Sequence, residues 1–140
     1  MTDLSHLREE IPGFVYVALG RRGREKISTD QCFAPGCGSE SPDDLEFTGR
    51  KVDVERTGDV VVVRASYTVK CGVCGRSFVM EFRTTGTLVD GESFEEFQEL
   101  LTGKSAGEPL PPWREKLDVA VNLLTIFSEE GENWGQVGYF

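Results

Sequence analysis

The sequence predicts an α+β fold: an antiparallel sheet fastened at one end by cysteines, with C-terminal helices packed across it. Three observations carry this. Strand-like apolar runs fill much of residues 46–83, paired cysteines interrupt them, and the apolar spacing turns helical after residue 93. The 140 residues suit a single domain spanning 1–140, with a β portion at about 14–90, a helical portion at about 93–130 and an aromatic tail at 131–140.

Taken in order, residues 2–10 read as a short helix. Leu4, Leu7 and Ile11 share helical spacing, and Pro12 and Gly13 end it. "FVYVAL", 14–19, is apolar on both faces and reads as a buried strand. "RRGREK", 21–26, reads as a turn between elements, with an anion-contacting loop as the functional alternative. "EFTGRKVDVER" and "VVVVRASYTVK" form a hairpin that turns at Thr57, Gly58 and Asp59. Val52 and Val54 share a face of its first strand. Val61, Val63, Ala65, Tyr67 and Val69 share a face of its second. "RSFVMEFR" supplies a third strand, with Phe78, Met80 and Phe82 on one side and Val79, Glu81 and Arg83 on the other.

After residue 92 the helical pattern begins. Ser93 and Glu96 make a capping box, Phe94, Phe97, Leu100 and Leu101 an apolar stripe, and Gly103 a stop. "KSAGEPLPP", 104–112, is a loop. A longer helix is predicted over about 112–129, with Pro112 in its first turn and Trp113, Leu117, Ala120, Val121, Leu124 and Phe127 on one face. "NWGQVGYF" closes the chain with three aromatics, which dock either on this domain or on a partner.

The four cysteines are Cys32, Cys37, Cys71 and Cys74. They are spaced C-x4-C, then 33 residues, then C-x2-C. Two close pairs far apart in sequence are what a tetrahedral four-thiolate site for one Zn2+ per chain requires. Glycines at 36, 38, 72 and 75 allow the left-handed backbone of tight cysteine turns. Such turns also expose N–H groups to the sulfurs. A redox pair is the alternative, but a thioredoxin-type pair opens a helix, and a strand follows Cys74. Free cysteines are the remaining reading. Four cysteines make a closed site, which holds structure and activates no water.

Cys32 and Cys37 with Gly38, then Cys71 and Cys74 with Gly75, and "VCGRSF" running into a return strand, resemble the zinc-ribbon class over about residues 30–85. The first pair has x4 spacing where x2 is commoner. The resemblance implies a structural zinc at one end of a small sheet. It implies no activity, because ribbons occur in transcription, translation and enzyme subdomains alike.

The search for chemistry finds no catalytic set. His6 is the one histidine and lies far from the cysteines in sequence. There is no Walker sequence, no G-x-G-x-x-G, no nucleophile elbow and no H-x-E of the zinc deaminases. No catalytic or cofactor-binding residue is assigned, and no enzyme activity is expected. The net charge is −9, of which −6 lies in residues 93–140. That balance repels a phosphate backbone and favours a basic protein partner. The expected function is therefore a small acidic zinc-binding protein serving as a protein–protein interaction or regulatory module. The alternatives are a nucleic-acid-binding ribbon using Arg21, Arg22, Arg24, Lys26, Arg64, Lys70 or Arg76, and an acidic inhibitor or immunity-type protein that neutralises a basic partner. No apolar run approaches the ~20 residues of a membrane span. The first residues lack a basic segment followed by an apolar one, so the expected location is the cytoplasm.

Overall fold

The computed structural model describes residues 4–18, 23–39, 41–105 and 107–139. The described residues are mostly β: 51% strand, in seven strands and two antiparallel sheets, with one short α-helix. This corrects the predicted α+β fold and its C-terminal helical layer. The main sheet is a meander of β3 (Leu45–Thr57), β4 (Val60–Cys71), β5 (Ser77–Leu88), β6 (Leu117–Ser128) and β7 (Asn133–Tyr139), paired in that order. A two-stranded hairpin, β1 (Phe14–Ala18) with β2 (Arg24–Ser28), is separate.

The predicted hairpin and third strand form as expected. Val61, Val63, Ala65, Tyr67 and Val69 of β4 are buried on one face, alongside Phe78, Met80 and Phe82 of β5. Period-2 patterning places these side chains together once the register is set. Burying each large one contributes about 1.5–3 kcal/mol. Two packed clusters result. Toward the cysteines, Leu7, Ile11 and Val15 cover Phe47, Tyr67, Phe78, Phe82 and Leu124. Toward the other end, Phe97 and Leu101 of helix α1 (Phe94–Thr102) cover Val54, Val61 and Val63, with Trp113 and Leu117. The Ser93 half of the predicted capping box forms: the Ser93 hydroxyl accepts from the Glu96 N–H.

The helix predicted over 112–129 is a short 3-10 turn, Arg114–Lys116, followed by strand β6. The apolar residues there lie on both faces of the strand, with Leu124 and Ile126 buried and Val119 and Val121 exposed, so they also fit a helical count. Thr85 pairs with Val121 and Gly86 with Val119, so Ala120 is an extra residue in the strand. The step of three this makes on the core face runs from Val119 to Asn122, outside the helical stripe, which itself mixes buried Leu117 and Leu124 with exposed Ala120 and Val121. The hydrogen-bonding edge of β5 decides the outcome, since β6 pairs along its whole length.

The aromatic tail is likewise strand β7, hydrogen-bonded to β6. Trp134 packs on Phe78 with ring centroids 6.5 Å apart, and Tyr139 on Phe82 at 5.9 Å. Phe140 lies outside the described residues. Two N-terminal expectations also change. The short helix is a 3-10 helix, Ser5–Glu10, whose predicted residues 2 and 3 lie outside the described set. Strand β1 buries Val15 and Val17 but leaves Phe14 and Tyr16 40% and 37% exposed, so it is half-buried rather than covered on both faces. Leu19, Arg21 and Arg22 lie outside the described residues, while Arg24 and Lys26 belong to β2.

Glu10, at the end of the 3-10 helix, joins these layers. Its carboxylate accepts from Arg50 of β3, from the Tyr67 hydroxyl of β4 and from the Leu110 N–H. Arg50 also donates to the carbonyls of Ser105 and Glu108. Three regions distant in sequence are thus tied by one buried ion pair.

Candidate metal centre

The cysteines sit on two turns at one end of the main sheet. Cys71 ends β4, and Cys74 lies in the tight turn to β5. The Cys71 N–H donates to the Arg76 carbonyl at 2.9 Å and the Gly75 N–H to the Cys71 carbonyl at 2.9 Å, which closes the turn. Gly75 takes φ +73°, a conformation that side-chain-bearing residues rarely adopt. Cys32 and Cys37 lie in the loop between β2 and β3. There the Cys32 N–H donates to the Ser39 carbonyl at 3.2 Å, and Gly36 takes φ +84° just before Cys37. Of the four glycines expected to be left-handed, Gly36 and Gly75 are, while Gly38 and Gly72 are not.

Contacts between the turns fix their separation. The Gly72 N–H donates to the Asp44 carbonyl at 2.7 Å. The Asp44 carboxylate accepts from the Ser39 hydroxyl at 2.6 Å. Phe33, inside the first turn, packs edge-on against Phe78 at 5.8 Å. The loop carrying the first pair is thereby seated on the strand that follows the second.

All four predicted ligands come together. Their sulfurs lie within 4.8 Å of one another. The closest contacts run across the turns, Cys32 to Cys74 at 3.8 Å and Cys37 to Cys71 at 3.8 Å. All four are free thiols. Cys32 and Cys71 are buried among the core residues, Cys37 is half-buried and Cys74 exposed. This set can hold a metal ion, as soft thiolate ligands at mutual contact do.

The electrostatics point the same way. Backbone N–H groups of Cys74 and Val73 aim at the Cys71 sulfur, and they hold its thiol down at about 7. The Val73 contact is 3.4 Å. Burial pushes Cys32 up to about 12. Deprotonating every thiol of so tight a group is opposed by mutual repulsion, and a bound cation reverses that balance.

No family model, curated protein or solved structure matches this chain. His6 is not part of the cysteine cluster; it lines a cavity with Glu9, Glu10 and Tyr67. Sequence reasoning did not find the Glu10–Arg50–Tyr67 network. No spacing could have revealed it, because its members come from three elements that only the fold brings together. No helix among the described residues is long and apolar enough to cross a membrane.

Proposed function

We propose that this chain is a structural zinc protein that works as a protein-interaction module. The sulfur arrangement carries the zinc reading. Four sulfurs at about 2.3 Å from a tetrahedral zinc stand about 3.8 Å apart. Two cross-turn pairs here are 3.8 Å apart and all four fall within 4.8 Å. Among the described residues the donor set is four cysteines with no histidine or carboxylate, which leaves no open position for substrate or water. Zinc bound there would tie the 29–44 loop to the β4–β5 turn and hold that end of the sheet closed.

The interaction reading rests on charge. Glu95, Glu96 and Glu99 are exposed on α1, and Glu129, Glu130 and Glu132 are exposed around the β6–β7 turn, on a chain of net charge −9. A basic protein is the partner this surface would steer toward itself. An inhibitor that neutralises a basic partner would use the same surface. Several cations that a nucleic-acid binder would need are engaged: Arg64 pairs with Glu55 at 3.1 Å, Arg76 stacks over Trp134 at 4.9 Å and Lys26 over Phe14 at 4.0 Å.

Metal analysis of protein purified without added zinc tests the first half, with one zinc per chain expected. A Cys32–Cys37 or Cys71–Cys74 disulfide in metal-free protein would overturn it. Affinity capture from the native host, washed in rising salt, tests the second half. A basic protein released by salt supports it, and retention on heparin without any such protein argues for the nucleic-acid reading.

A further inference from the structure

The four cysteines divide into an accessible pair and a shielded pair. Cys32 and Cys71 are 5% and 0% exposed, whereas Cys37 is half-buried and Cys74 exposed. Residues 72–76 around Cys74 are all exposed, as are Pro35, Gly36 and Gly38 around Cys37. The sulfur contacts at 3.8 Å cross this division as well as the turns: Cys74 meets Cys32, and Cys37 meets Cys71. Each accessible cysteine therefore touches a shielded one carried by the other turn.

Thiol oxidation by a peroxide needs that arrangement. An accessible sulfur meets the oxidant, and a second sulfur beside it resolves the first product before it is oxidised further. The seating of the two turns on each other does not depend on sulfur. The Gly72 N–H donates to the Asp44 carbonyl at 2.7 Å, the Ser39 hydroxyl donates to the Asp44 carboxylate at 2.6 Å, and Phe33 packs on Phe78. These contacts keep the sulfur pairs face to face while one of them is modified. Closing a 3.8 Å contact to a disulfide of about 2.0 Å asks each sulfur to move by about 0.9 Å.

We propose, building on the zinc reading, that the cysteine centre is a hydroperoxide-responsive switch in which two cross-turn disulfides, Cys32–Cys74 and Cys37–Cys71, replace the metal. An electron pair of the Cys74 sulfur attacks the terminal peroxide oxygen, the O–O bond breaks, and the alcohol leaves; Cys74 becomes a sulfenic acid. The Cys32 sulfur then attacks the Cys74 sulfur, the S–S bond forms, the S–O bond breaks, and water leaves. Two electrons pass from the sulfur pair to one peroxide. The protons that complete the alcohol and the water come from the thiols, or from solvent where the thiols are already ionised. Cys37 and Cys71 repeat the step with a second peroxide. Each disulfide withdraws two ligands, so the ion is released. Because both links run between the turns, they tie the 29–44 loop to the β4–β5 turn as the ion would. Disulfides within the turns would leave that loop untied.

The test uses the full chain, its zinc content measured first, treated with tert-butyl hydroperoxide beside a chromogenic zinc indicator. Zinc should appear in solution in step with the loss of free thiols, and a dithiol reductant with added zinc should restore both. Trypsin cuts after Lys26, Arg50, Lys70 and Arg76, so peptides 27–50 and 71–76 carry the two cysteine pairs. From the oxidised chain they should stay joined until reduced, and fragmentation should place the links at Cys32–Cys74 and Cys37–Cys71. The oxidised chain should also melt above the chelated, reduced chain. Separate peptides, each closed on itself, overturn the proposal, and so do joined peptides linked Cys32–Cys71 and Cys37–Cys74. Oxidation of Cys74 to a sulfinic acid without a disulfide overturns it too, as do thiols left unchanged by peroxide that consumes glutathione in the same solution. The two readings fail separately. A chain without zinc that forms the cross-turn links overturns the zinc reading and upholds the pairing, and a zinc-loaded chain that forms links within the turns does the reverse.

Discussion

Cys74 is the most exposed of the four candidate ligands, yet its sulfur is 3.8 Å from that of the buried Cys32. Replacing it therefore disturbs the metal more than the packing. Cys74→Ser is expected to weaken zinc binding by at least about 100-fold, beyond the 10–100-fold typical of second-layer changes. By mass action, with zinc in excess, a 100-fold loss removes about 2.7 kcal/mol of metal-linked stability. For a chain of this size the melting temperature should fall by about 5–10 °C, read by calorimetry with matched zinc. An unchanged melting curve would contradict a structural role. Glu10 makes a second residue-scale case. The Arg50 side chain is 1% exposed and that of Glu10 11%. Glu10→Ala would leave a buried guanidinium unpaired, at a cost of about 3–5 kcal/mol. Tyr67→Phe should cost only about 1 kcal/mol, one hydrogen bond. Denaturant midpoints of the two variants check the ratio. The cysteines were legible beforehand because two close pairs are a common spacing of structural four-thiolate sites. Glu10 was not, since nothing local distinguishes it from Glu9.

At the scale of elements, β7 carries the sharpest expectation. It adds the last hydrogen-bonded strand and seats Trp134 and Tyr139 on Phe78 and Phe82. Deleting residues 133–140 should strip those rings from the core and leave β6 as a bare edge. A fall in melting temperature of more than about 10 °C is expected, since large aromatic losses cost about 3–5 kcal/mol each. The cysteines all lie outside the deleted segment, so the folded fraction should keep its zinc. A truncated chain with unaltered melting but lost partner binding would show the tail to be an interaction element instead. Helix α1 is a smaller case: Ser93→Ala removes the cap on Glu96 and should cost about 1 kcal/mol. That cap was readable from the sequence because capping is local. The identity of β6 was not, because its apolar residues lie on both strand faces and so also fit a helical spacing.

At the scale of the whole molecule, charge and metal act on different properties. The charge of −9 would govern encounter with a charged partner. Association with a cationic protein should slow with salt more than dissociation accelerates, and the chain should pass through heparin unretained at low salt. Rapid-mixing kinetics and a single column run check these. A metal held by the four cysteines would govern integrity at one end of the sheet. Chelation should loosen the 29–44 loop and the β4–β5 turn first, while the cluster around Phe97, Leu101 and Val61 persists. Amide exchange of holo and chelated chains would locate the difference.

The sequence by itself determined the local features. Cysteine pairing named the four ligands, period-2 alternation named β3, β4 and β5, and capping chemistry named α1. Each of these depends on neighbours within a few residues, so the chain carries the information in order. Only the tertiary structure decided what segment 117–128 becomes, where the aromatic tail goes and which charged residues are buried together. Those outcomes depend on an open strand edge and on an ion pair between partners 40 residues apart. A strand edge is a property of the assembled sheet, and it selects among local patterns that the sequence alone leaves equally good.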